Sequence, residues 1–148
     1  MLVLLRRTLQ TAGAALLLPL ALSGQAPMSD ADYLALGRKY FDWFIAAEAD
    51  SLLAHMSPEA REASGGVDGV NRAVTDFITR AGLETELVEE RMTRRRGNPQ
   101  YWREARYTTF VEEPLVFRWV FNDKGEILGI GMGPKSRAPA PDSTAAGS

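Results

Sequence analysis

The sequence predicts an α+β domain in which N-terminal helices pack on an antiparallel sheet of four or more strands. Residues up to Gly82 repeat their apolar positions at helical spacing. After Gly82 the chain changes to runs rich in aromatic and β-branched residues, divided by turn signals. Helices first and strands afterwards is the grammar of an α+β layer arrangement.

The first helix is expected from Ser29 to Ala49. Ser29 with Asp32 three residues on has the form of a capping box, which satisfies amides left free at a helix start. Tyr33, Gly37, Tyr40, Phe41, Phe44, Ile45 and Ala47 then make one broad apolar stripe. A short second helix follows over Asp50 to Met56. Ser57 caps a further turn with Pro58 at its first position, and Gly65-Gly66 breaks the chain. Val70, Ala73, Val74, Phe77, Ile78 and Ala81 fall on one face of a helix over Val67 to Ala81, closed by Gly82.

Four strands are expected: Leu83 to Arg95, Tyr101 to Val111, Leu115 to Phe121 and Glu126 to Met132, the first two joined by a turn at Gly97-Asn98-Pro99. Asn122-Asp123-Lys124-Gly125 is a hairpin turn with glycine at its left-handed position. If Asn122 pairs with Glu126, then Phe121 faces Ile127, Trp119 faces Gly129 and Phe117 faces Gly131. Val116, Arg118 and Val120 then share the other face with Leu128, Ile130 and Met132. Both faces of this hairpin are largely apolar, so the second is expected to be covered by more of the chain or by a partner subunit. A register slip of one residue would reverse the assignment.

The ends read differently. Arg6 and Arg7, the apolar run Ala14 to Leu22 and the small-residue exit through Ser23 to Ala26 have the three parts of a secretory signal, taken as residues 1–26. The apolar run is about 10 residues against the about 20 that span a bilayer. Export to the periplasm or beyond is expected, by the general secretory route rather than the twin-arginine one, with no stable membrane anchor after cleavage. Residues 29–134 form the domain, and Lys135 to Ser148, rich in Pro, Ala, Ser and Gly, is expected to be a disordered tail.

Composition narrows function. The chain has no cysteine, which excludes disulfides and thiol chemistry. Its single histidine and scattered carboxylates make no recognisable metal-ligand set, and no cofactor is expected. The net charge is −2, and cleavage of the leader removes two arginines and no acid, so a nucleic-acid partner is not expected.

The Tyr40-Phe41 and Phe44 stripe, the short helix at Ser51 to Met56, and the ending Phe117-Arg118-Trp119-Val120-Phe121-Asn122-Asp123-Lys124-Gly125-Glu126-Ile127-Leu128-Gly129, closed by Pro134, resemble the nuclear-transport-factor-two-like superfamily, which includes ketosteroid isomerases and SnoaL-like cyclases. The chain is most similar to its uncharacterised exported bacterial members. The resemblance covers roughly residues 30 to 134. It implies a curved, cone-like sheet around the helices, often a pocket, and frequent homodimers. No pocket acid or base of the catalytic branches matches a position here.

Several residues invite a role. His55 is the only imidazole, and Asp42 stands between Phe41 and Trp43, where desolvation would raise its pKa and suit it to general-base work. Asp42, however, falls off the apolar stripe. Arg91, Arg94, Arg95 and Arg96 with Tyr101, Trp102, Arg103 and Arg106 form a basic, aromatic stretch, which Glu84, Glu86, Glu89, Glu90 and Glu104 can neutralise across strands. Tyr40, Arg103, Tyr107 and Trp119 are the expected lining of an apolar pocket with a few polar groups. A non-catalytic exported domain binding a small apolar or amphipathic ligand or a protein partner ranks first. An acid/base isomerase or cyclase ranks second and a structural homodimer third.

Overall fold

A computed structural model describes residues 27–142. Residues 1–26, on which the expected secretory signal falls, and the last six residues lie outside the described residues. Four helices precede four strands among them: α1 (Asp30–Ile45), α2 (Ala49–Ala54), α3 (Pro58–Ser64), α4 (Gly66–Ala81), β1 (Glu84–Arg95), β2 (Asn98–Tyr107), β3 (Phe110–Phe121) and β4 (Ile127–Pro134). The sheet is an antiparallel meander in the order β1-β2-β3-β4, curved and open, with the helices packed against it.

Local chemistry explains most helix ends. Ser29 and Asp32 form the reciprocal capping box, Ser57 caps α3 with Pro58 in its first turn, and Gly82 ends α4. α1 stops at Ile45, four residues short of its expected end at Ala49. Ala47 takes a left-handed φ of 57°, and the Ala47 and Glu48 amides donate back to the carbonyls of Phe44 and Trp43. This is a Schellman closure built on alanine where glycine is usual, so the sequence carries no sign of it.

The hairpin turns also depart from expectation. β1 and β2 join through Arg96-Gly97, both at positive φ, and Asn98-Pro99 already belongs to β2 opposite Arg95 and Arg94. The run expected as one strand from Tyr101 to Val111 contains a turn at Thr108-Thr109, because Tyr107 pairs with Phe110. No glycine or proline marks that turn. The α4–β1 joint holds it instead: Thr108 N–H donates to Leu83 O, Thr109 N–H to Ala81 O, and Leu83 N–H to Thr108 Oγ1. Val111 to Pro114 then bulge out of register opposite Arg106, whose guanidinium donates to the carbonyls of Val111 and Glu112.

The last hairpin keeps its expected start, Phe121 opposite Ile127, and then shifts by one residue. Ile127 donates its N–H to His55 O and accepts from Ser57 N–H, so its backbone is held by the α2–α3 corner, and Leu128 becomes the extra residue. Trp119 therefore faces Ile130 and Phe117 faces Met132, while Gly129, Gly131 and Gly133 lie opposite Val120, Arg118 and Val116. The expectation of aromatics opposite glycines is overturned, and Ile130 and Met132 move to the helix side.

The core is aromatic. Phe117 meets Phe41 and Phe44 at 5.1 Å between ring centroids and Trp119 at 4.8 Å, and Phe77 meets Tyr107 at 5.4 Å. Tyr33 and Tyr40 reach from α1 to the β3–β4 turn, donating to the carbonyls of Asn122 and Gly125. Where α1 crosses β2, Gly37 lies directly on the Tyr101 ring.

The outer sheet face is covered by the chain itself. Gln100, Trp102, Glu104 and Val116 point away from the helices, yet all four are buried. Lys135 bonds Glu104 at 2.8 Å, Ser136 N–H donates to Glu113, Arg95 reaches Ala140 O, and Asp142 bonds Arg94 O and Gly97 N–H. Those anchors carry residues 135–142 as a strap from the end of β4 back to the β1–β2 turn. The strap corrects the expectation of disorder from Lys135 and supplies the cover that a two-sided apolar sheet requires.

A Cβ at residue 37 would overlap the buried Tyr101 ring, which cannot retreat because its hydroxyl is tied to Glu90. Overpacking of this kind costs about 1–3 kcal/mol and outweighs the about 1 kcal/mol that alanine gains over glycine within a helix. Gly37→Ala should therefore lower the urea midpoint, equivalent to a net loss of up to about 2 kcal/mol. An unchanged or raised midpoint would contradict this seating of α1.

Candidate functional site

The four residues expected to line a pocket divide between two environments. Tyr40 (1% exposed) and Trp119 (0%) pack edge to face within the aromatic core, and burial raises the pKa of the Tyr40 phenol, with the Glu126 charge adding to it. Tyr107 (3%) donates to Glu84 at 3.3 Å, and Arg103 joins Glu84 at 2.7 Å and Glu90 at 3.1 Å while lying 4.5 Å from the Phe41 ring centroid. Arg103 and Tyr107 are thus brought together through Glu84, but side chains fill the space that an enclosed pocket between the four would need.

Glu90 is the centre of that second group. Its side chain is nearly buried and accepts from Tyr101 Oη at 2.5 Å, Arg38 Nε at 2.5 Å and Arg103 Nη1 at 3.1 Å. Burial works to raise the Glu90 pKa, but the bonds from Tyr101 and Arg38 and the charges of Arg38 and Arg103 outweigh it and hold the pKa below the usual carboxylate range. The Tyr101 and Tyr107 phenols are raised, first by burial and then by the facing glutamates. Apart from Arg103 Nε, which has no hydrogen-bond partner, the polar heads here engage one another, so the group clamps β1 to α1 and β2. An open hollow of 340 Å³ lies beside it, lined by Arg38, Phe41, Asp42, Leu87, Glu90 and Arg103.

Asp42 stands exposed at the rim of that hollow. His55 is half-buried near the same C-terminal end of α1, its ring against Tyr40 and Trp43 and its Nδ1 2.8 Å from Ser51 O. The structure does not bring Asp42, His55 and Tyr107 together around one cavity. Among the described residues no group of three or more His, Asp or Glu is placed to hold a metal, and no helix is long and apolar enough to cross a membrane.

The basic stretch is largely neutralised by acids of the sheet and of α1. Arg91 pairs with Glu89, Arg94 with Asp30, Arg103 with Glu84 and Glu90, and Arg106 with Glu86. Arg91 also lies 5.3 Å from the Trp102 ring centroid.

A longer apolar surface lies elsewhere. Between β4 and the helices α3 and α4 runs a groove of three adjoining hollows, 300, 210 and 370 Å³. Ala60, Ala63 and Ser64 form its wall at one end, Val70 and Ala73 its middle, and Phe110, Leu115 and Pro134 its other end. Its sheet side is Leu128, Ile130 and Met132, each about two-fifths exposed. Sequence reasoning missed this groove because the Leu128 bulge moves Ile130 and Met132 to the helix side.

Glu90 stabilises the fold in full above the pKa of an unfolded glutamate, about 4.3, and that contribution fades as pH falls through its lower folded value. Glu90→Gln should cost roughly 1–3 kcal/mol at pH 7, and its difference from wild type should shrink below about pH 4. Urea unfolding at pH 7 and pH 3.5 checks this, and a difference independent of pH would contradict it.

Comparison with family models, with curated proteins and with solved structures finds no match for this chain.

Proposed function

We propose that this chain is an exported, non-catalytic binding domain whose recognition surface is the apolar groove between β4 and the α3–α4 pair. The carrying observation is the groove itself: three apolar side chains of β4 stand exposed in a row against a wall of small residues. Water is displaced from such a surface at a gain of about 25 cal/mol per Å² of apolar area covered, so an apolar or amphipathic ligand or a protein segment is the chemistry it suits. The leader with Arg6, Arg7 and Ala14 to Leu22 supports export. The superfamily resemblance supports the binding role, since many such domains act as accessory modules.

The protein purified from the envelope of an expressing bacterium should bind Nile red, a neutral apolar dye, with a saturable rise in fluorescence. Its mass should show cleavage near Ser23 or Ala26. Ile130→Glu alters a side chain already 41% exposed, so the fold should survive while dye affinity falls at least about tenfold. Binding that is absent, or indifferent to Ile130→Glu, would overturn the groove as the site.

A further inference from the structure

The two edges of the sheet are treated differently. β1 is rich in charge, with Glu84, Glu86, Glu89, Glu90, Arg91, Arg94 and Arg95, and has two register shifts, the devices that keep an edge from pairing. β4 is covered at Ile127 by the α2–α3 corner and ends at Pro134. From Gly129 to Gly133 it has no charge, no proline and, among the described residues, no strand beyond it.

The two faces of that open stretch differ as well. On the helix side Leu128, Ile130 and Met132 border the groove. On the outer side only glycines project, and the Arg118 side chain lies across Gly131, where even a Cβ would collide with its guanidinium. Arg118 is half-buried, its Nε has no hydrogen-bond partner, and it forms no ion pair among the described residues. Burial, and then the Arg95 charge, pull its pKa below the usual arginine range. A cation is thus held beside the open edge with no anion paired to it among the described residues.

We propose that the β4 edge takes up an extended segment of a protein partner, with alternate apolar residues entering the groove and an aspartate or glutamate on the opposite side pairing with Arg118. This rests on the groove being the recognition surface. Main-chain hydrogen bonds to the unpaired edge hold the segment, and the alternation of a strand sends its side chains to the two faces that suit them. A second copy of this chain fits less well. Ile127–Pro134 contains no acid, and two-fold pairing of β4 with itself would set two Arg118 guanidinia against each other across the paired glycines.

Selection from a phage library of random seven-residue peptides tests this. Wild type should enrich alternating apolar sequences with an acid at one fixed outward position, and replacing that acid by lysine should weaken binding at least tenfold. Arg118→Glu should reverse the preference, enriching lysine or arginine there, and Arg118→Gln should abolish it in either direction. A preference indifferent to residue 118, or no enrichment, would overturn the proposal. Nile red binding that stays sensitive to Ile130→Glu would show that the groove reading survives such a failure. A dimer in sedimentation equilibrium that dissociates with Ile130→Glu would also overturn it, by placing a second copy on the edge.

Discussion

The contact of Gly37 with Tyr101 sets where the helix layer sits. Without a side chain at residue 37, α1 settles onto the β2 ring. From that seat Tyr33 and Tyr40 reach the β3–β4 turn, Phe41 and Phe44 meet Phe117, and Arg38 meets Glu90 beneath the Tyr101 hydroxyl. Aromatic and charged contacts of α1 therefore fall on β1, β2 and β3. β4 is reached mainly at Ile127 by the corner between α2 and α3, and past that point its helix-side residues border a groove.

Much of this architecture is written locally in the sequence. The Ser29–Asp32 box, Ser57-Pro58, Gly82 and the Asn122 to Gly125 turn each act through bonds to near neighbours, so they are legible without the fold. The features that escaped are set by distant parts of the chain. The Thr108-Thr109 turn is held by the end of α4, the Leu128 bulge by backbone bonds from His55 and Ser57, and the strap by its anchors on β1 and β2. Ala47 closes α1 in a conformation its residue type disfavours.

The same division governs the candidate sites. Tyr40, Tyr107 and Trp119 were legible as inward-facing, but periodicity does not say whether the space they face is empty, and here they fill it. The groove depends on one inserted residue, since a shift of one reverses every later side chain in a strand. Arg118 was placed on the outer face correctly. That it lacks a carboxylate, while Arg91, Arg94, Arg103 and Arg106 on β1 and β2 each have one, follows only from the assembled sheet.

The central claim is that the edge of β4 between Gly129 and Gly133 is open in the free protein. Amide hydrogen exchange tests it residue by residue, because a strand edge leaves alternate N–H groups without a partner. The account predicts that alternate amides of this stretch exchange within seconds, while amides of β2 and of the β3 stretch paired on both sides are protected to the global unfolding limit. Uniform protection along Gly129 to Gly133 would contradict it, because the edge would then be covered in solution.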